Sequence, residues 1–377
     1  MTMRMTAVSS QNNERREVRS FMNTIGQYYC KTVNGAPCGH KKVTSGFESY
    51  DRVFYTRRAT VEGGSAPPAL FYDRTDGFYV VGRERETRGE DGTVMVRHGF
   101  LFPSELFRKA VFGSKLYHFF DIDDFDCTPA GFDAEETPSA KTNIHVAENA
   151  SDFLRPEDIF RRGREKTRFV KLLLYAMVLA VTEHFSLVFS LPDMEGERYD
   201  KNAVLFLKSL FAMVPWEWRE YLTFHSYVND PVSFGAFRLS VTPLPVASLP
   251  HGNKTFYFDL RDMRVSPDLV IEQKTRGTLI GDLLFLIWSN GDEQALSSLF
   301  YLVHHNRNLL TGDLPQIIQM DALCCYFLLT GVGAKYREYL HDQRNRLSKG
   351  TSREILLFLA GHLQNSEFVR LREMLDL

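Results

Sequence analysis

The chain has 377 residues, 44% of them hydrophobic and 24% charged, an ordinary globular balance with ample material for a core. A formal net charge of -2 excludes a global electrostatic signature for nucleic acid or an anionic membrane, so any such partner must be read by a local patch. Single hydrophobic cores stop growing at roughly 250 to 300 residues, so two or three domains are expected.

The opening stretch MTMRMTAVSSQNNERREVRS is polar and lacks the apolar core of a signal peptide. Residues 1–20 read as a disordered lead-in and the protein as cytoplasmic. Five cysteines, an odd number at irregular spacing, argue against a secreted disulfide framework and for a reducing compartment. Cys30, Cys38 and His40 lie close together but form no zinc knuckle. No metal site and no cofactor are assigned.

Residues 21–126 predict a β-rich domain. QYYCKTV, RVFYTRRATV, ALFYDRT, FYVVGRE and TVMVRHGFLF are rich in aromatic and β-branched residues, and NGAP, GGSAPP, TDG and GEDG separate them as turns. SELFRKAVF adds a helix. The domain closes on FFDIDDFD, Phe119 to Asp126, with four carboxylates in six positions. A phosphatase of the haloacid dehalogenase type would use Asp121 as nucleophile and Asp123 as acid, yet Phe125 stands where that motif carries a small hydroxylic or β-branched residue. An EF-hand would need glycine at the sixth loop position, which is not there. The stretch reads as a solvated acidic edge anchored by Phe119, Phe120 and Phe125. The alternative is a divergent metal-dependent phosphatase or nuclease using Asp121 and Asp123.

Residues 127–153 hold few large apolar residues and no sustained period, so they read as a linker or long loop. Residues 154–265 alternate helix and strand. Pro156 suits a first helical turn, and an apolar helix is predicted from Thr167 to Glu183. Its core, LLLYAMVLAV, is half the length of about 20 residues that a membrane span needs, so it is a buried helix and no membrane contact is expected. SLVFSLP, YLTFHSYV, FGAFRLSVTP and KTFYFDLRD read as strands, and DKNAVLFLKSLFAMVP as an amphipathic helix stopped by Pro215. Residues 266–377 carry six segments with apolar residues at helical spacing and no fixed repeat length, a small helical bundle. The expected fold is therefore α+β and multidomain, with a β-rich amino-terminal domain, a mixed α/β middle region and an all-helical carboxyl-terminal region.

Catalytic motifs are sparse. GREKT, Gly163 to Thr167, lacks the first glycine and the Gly-Lys step of a P-loop, and neither HExxH nor GxSxG occurs. His304 and His305 end an apolar helical run, where the helix dipole favours them. The run RRGREKTRFVK, Arg161 to Lys171, places six basic residues and one Glu at a helix start, which opposes the dipole by roughly 0.3 to 1 kcal/mol each when exposed. Arg161, Arg162 and Arg164 are therefore candidate contacts for an anionic partner beside the plainer reading of a solvated cap. A nucleic-acid-binding module with steep salt dependence is a further alternative.

Three segments taken in order, GQYYCKTVNGAPCGHKKVTSGF, PPALFYDRTDGFYVVGRE and RHGFLFPSELF, together with FAMVPWEWREYLTFHSYVNDP from Phe211 to Pro231, resemble the GTPase-associated protein family of prokaryotic conflict (antiviral defence) systems. Ser45, Gly46 and Phe47 match one step of its amino-terminal domain, and Arg97, Gly99 and Phe100 another. The resemblance implies a non-catalytic adaptor or regulatory subunit that binds other protein subunits of a defence system, a small GTPase or an effector among them. Arg97 and Phe100 are then candidate contact residues.

Overall fold

The computed structural model describes residues 24–34, 40–50, 66–75, 77–89, 92–111, 118–134, 137–145, 164–191, 196–249, 254–276, 278–306, 316–338 and 349–375. They fall into two compact units, Met1–Asp152 with Glu195–Asp200, and Phe153–Met194 with Lys201–Leu377. The α/β stretch and the helical stretch that the sequence separates at residue 265 thus share one unit.

The first unit holds the strands β1 (Gly26–Val33), β2 (His40–Val43), β3 (Ala69–Arg74), β4 (Phe78–Gly89) and β5 (Gly92–Pro103); β1, β3, β4 and β5 follow predicted aromatic runs, and β2 was not expected. They lie in the order β3-β4-β5-β1-β2, every neighbour antiparallel. The predicted strand RVFYTRRATV lies outside the described residues. Helix α1 (Ser104–Val111) follows β5 directly, and its Phe107 stacks on Tyr79 at 4.2 Å between ring centroids. Residues 127–134 and 137–145, expected as a linker or long loop, pack on this unit. Ile25 and Lys141 exchange both backbone hydrogen bonds at 2.8 Å. Helix α2 (Pro129–Ala134) buries Phe132 against Tyr29 and Val96.

In the second unit β6 (Ser186–Ser190), β7 (Phe224–His225), β8 (Leu239–Thr242) and β9 (Thr255–Asp259) run parallel in the order β9-β6-β8-β7, with β10 (Arg264–Val265) antiparallel on β9. Alternation along a strand divides the two faces. Helices α3 (Arg164–Thr182) and α4 (Gly196–Ala212) cover one, with Phe169 edge-on to Phe258 and Phe206 edge-on to Phe189. Val228, Phe234 and Leu249 cover the other, packed on Val188 and Tyr257. The predicted strand YLTFHSYV shrinks to two residues because the His225 ring turns back and its Nδ1 accepts the Tyr227 amide at 3.2 Å, which takes the chain out of the ladder. FGAFRLSVTP likewise gives strand only from Leu239, after a 3-10 turn at Pro231–Ala236.

After the four-residue α5 (Trp216–Arg219), the helical stretch supplies α6 (Pro267–Arg276), α7 (Leu279–Ser289), α8 (Glu293–His305), α9 (Gln316–Leu329), α10 (Lys349–Ala360) and α11 (Asn365–Met374). Most of the predicted helix YREYLHDQRNRL lies outside the described residues. Side chains satisfy the amides that a helix start leaves open. Thr278 caps α7, Asp292 caps α8, and Gln364 with Glu367 forms a capping box on α11. Asp321 of α9 adds a second cap on α7 by accepting the Ile280 amide at 3.0 Å, and its burial pushes the carboxyl up to about 7. Lys171 of α3 pairs with Asp282 of α7 at 2.7 Å. Among the described residues no helix is long and apolar enough to cross a membrane.

Two glycines set the closeness of the β4–β5 ladder. Gly82 and Gly99 face each other across it, and a Cβ at Gly82 would sit 2.3 Å from the Phe71 ring and 2.9 Å from the His98 carbonyl oxygen. Overpacking of this kind costs about 1–3 kcal/mol. Gly82→Ala is expected to lower stability by that amount in urea denaturation, and an unchanged midpoint would show that Phe71 moves freely.

Candidate functional site

The polar centre of the first unit is built on β5. Strand register places Glu84 opposite Arg97, and their side chains meet inside the protein with Nε 2.5 Å from Oε2. Arg97 is 1% exposed and Phe100 0%. Their side chains therefore belong to the interior, which corrects the expectation that they touch a partner. An ion pair withdrawn this far from water holds the strands in register, because removing one partner leaves the other charge buried alone.

The neighbouring residue, His98, organises the opposite face. Its Nδ1 accepts the Asp126 amide at 3.0 Å and its Nε2 lies 3.1 Å from the Gln27 carboxamide oxygen. These partners fix a neutral ring with the proton on Nε2. Gln27 in turn donates to the Ser139 carbonyl at 2.6 Å, and Tyr29 stacks on the imidazole at 4.0 Å. Burial, helped by the Lys141 ammonium nearby, holds the imidazole neutral down to about 3. The sequence singled out neither Gln27 nor Glu84, and its only signal was the alternation of charges in RERE opposite VRH.

The FFDIDDFD stretch docks onto this centre. Phe120 and Ile122 are buried, and Phe125 packs against Phe100 at 5.2 Å and edge-on to His98 at 5.9 Å. Two of the three predicted aromatic anchors are thereby seen in place, while the side chain of Phe119 lies outside the described residues. The carboxylates diverge. Asp121 closes a 3-10 turn, His118–Asp121, rather than a strand. Asp123 meets His145 Nδ1 at 2.6 Å. Asp124 takes the Lys141 ammonium at 3.2 Å and the His145 amide at 3.0 Å, and that amide above all holds its carboxyl below the usual range. Asp126 accepts the amide and hydroxyl of Thr128 at the start of α2.

Of the basic run, Arg161 and Arg162 lie outside the described residues, and Arg164 begins α3 with a side chain that does too. Arg168 is exposed, whereas Lys171 is engaged by Asp282. Cys30 is disulfide-bonded, which a reducing compartment disfavours; Cys127, Cys324 and Cys325 are free and buried, and Cys38 lies outside the described residues. His304 and His305 occupy the last turn of α8, as their position predicts.

A surface cleft of about 710 Å³ opens in the second unit where the α7–α8 turn faces a 3-10 turn at Gly333–Tyr336. Leu286, Gly291, Asp292, Lys335, Tyr336 and Glu338 line it. Asp292 is the focus: its Oδ1 accepts the Ala295 amide, and its Oδ2 takes both the Lys335 ammonium and the Tyr336 hydroxyl, the latter at 2.5 Å. These bonds keep the Asp292 carboxyl below the usual range, and burial beside it pushes the Tyr336 phenol up to about 12. The carboxylate stays ionised and the phenol stays a donor across the physiological range. Sequence reading missed this group because its members stand 44 residues apart and match no motif.

Two outcomes test the polar centre. Arg97→Met alone is expected to cost about 3–5 kcal/mol, and adding Glu84→Gln should restore part of that loss, since the stranded charge is gone; additive losses in urea denaturation would deny the coupling. The folded His98 pKa lies below the value near 6.5 of an unfolded histidine, so the unfolded state binds more protons between the two. Stability should therefore be full above pH 6.5 and fall as pH drops towards 3. His98→Gln should flatten that slope, and an equal slope in both proteins would overturn the assignment.

No protein-family model matches the sequence, and no curated protein matches it.

Proposed function

We propose that this protein is a non-catalytic adaptor or regulatory subunit of a bacterial antiviral defence complex, acting by protein–protein interaction with a small GTPase or an effector. The observation that carries the reading is the fate of the FFDIDDFD carboxylates. Asp123, Asp124 and Asp126 are bonded to His145, Lys141 and Thr128, which tie the acidic stretch to the segments that follow it in the chain. Phosphoryl transfer by a pair of carboxylates needs them to converge on one phosphorus and its metal, and here Asp123 and Asp124 are engaged by His145 and Lys141 while Asp126 turns to Thr128. The same stretch supports recognition instead, because Asp123 is exposed and Asp121 half-buried beside the buried anchors Phe120 and Ile122. The resemblance of the segments around Phe47, Gly99 and Phe211 to the GTPase-associated family points to the same class of partner.

Purification of the untagged protein from its native operon at low salt is expected to bring down a GTPase or effector subunit, identified by mass spectrometry. A protein that stays solitary would remove the adaptor reading. Metal-dependent hydrolysis of phosphomonoesters or nucleic acid that Asp121→Asn abolishes, with the fold intact, would replace it with the phosphatase or nuclease alternative.

A further inference from the structure

The cleft at the α7–α8 turn contains a half-hidden anion capped by an exposed cation. Asp292 is 14% exposed in its side chain, whereas the Lys335 side chain that pairs with it is 57% exposed. A lysine placed this way is held at its tip only. Its four-carbon stem stands in water, and ordering such a stem costs entropy that an exposed ion pair scarcely offsets. The second donor, Tyr336, is buried and approaches from within the fold. Its bond to Asp292 is separate from that of Lys335.

The walls suit an elongated basic group. Leu286 offers an apolar side for a methylene chain, and apart from its chain neighbours nothing lies within 4 Å of where a Cβ on Gly291 would be. Glu338 provides a second carboxylate on the same wall as Lys335. With Lys335 displaced, the cleft presents Asp292 and Glu338 and no cation, a charge pattern complementary to a guanidinium. That group carries five donors in a planar fork and bridges two carboxylates where an ammonium serves one.

We infer that the cleft lined by Asp292, Tyr336 and Glu338 receives an arginine side chain from a partner protein, with Lys335 as the internal group that it displaces. The inference rests on the adaptor reading and deepens it by naming what the partner contributes. Asp292 also caps α8, so docking there bears on a rigid helix start rather than on a loop tip.

The test uses the full-length protein and capped tripeptides, acetyl-Gly-Arg-Gly-amide against acetyl-Gly-Glu-Gly-amide, followed by NMR shifts or calorimetry. The arginine peptide is expected to bind and the glutamate peptide is not. Asp292→Asn keeps a good cap, and it should weaken arginine binding on the order of tenfold, the scale of one hydrogen bond to a charged group. Lys335→Met removes the competitor and should tighten it several-fold. Weaker binding in Lys335→Met, or preference for the glutamate peptide, would make the cleft an anion site and overturn the inference. So would failure of the arginine peptide to bind the folded wild-type protein. These arms need no native partner: a protein that is solitary in its operon but binds the arginine peptide as described would lose the adaptor reading and keep this one.

Discussion

The first unit depends on one neutral imidazole. Because His98 carries a single proton, one ring nitrogen accepts from the Asp126 amide while the other donates to Gln27, and a charged ring could serve only the second. Through those two bonds β5 holds β1 on one side and the acidic stretch on the other. Gln27 extends the line to Ser139, and the paired backbone bonds of Ile25 and Lys141 close it. Polar contacts thereby add to the apolar anchors Phe120, Ile122, Phe125 and Phe132 in fixing this segment to the sheet. The penalty for burying such polar groups unpaired keeps the arrangement unique.

Two of the ion pairs, Glu84 with Arg97 and Asp292 with Lys335, differ because their surroundings differ. Glu84 and Arg97 lie inside the sheet, where separation would strand a charge and where no solvent competes. Asp292 and Lys335 sit at a cleft mouth, where water takes over either role at little expense. The first pair is therefore a fixed part of the fold. The second is an exchangeable contact, and exchange is what a binding surface requires.

The sequence made the strand-rich front and the apolar helix Thr167 to Glu183 legible, because period and turn residues are local signals; the helix runs Arg164–Thr182. The anchoring roles of Phe120 and Phe125 were legible too, since large aromatics amid carboxylates have few other uses. Pairings set by register were hidden. Arg97 looked like a surface residue in the step around Gly99, and only its position opposite Glu84 shows why it turns inward. Residues 127–153 read as a linker or long loop because backbone hydrogen bonds such as those of Lys141 leave no compositional trace. β7 was overestimated for a related reason: the return bond from His225 to Tyr227 is a side-chain contact that no strand propensity encodes.

The order of the parallel strands in the second unit shapes how the chain must be made. β6 is central, and both of its neighbours come later in the sequence, β8 at Leu239–Thr242 and β9 at Thr255–Asp259. Every residue of β6 is buried in the finished protein. During synthesis that apolar strand emerges about seventy residues ahead of its last partner and carries two unpaired edges, a template for pairing with other chains. A chain that ends before Leu239 thus leaves both edges of β6 without their partners. The slow, non-local closure of this sheet makes the completed carboxyl half a requirement for the solubility of what precedes it.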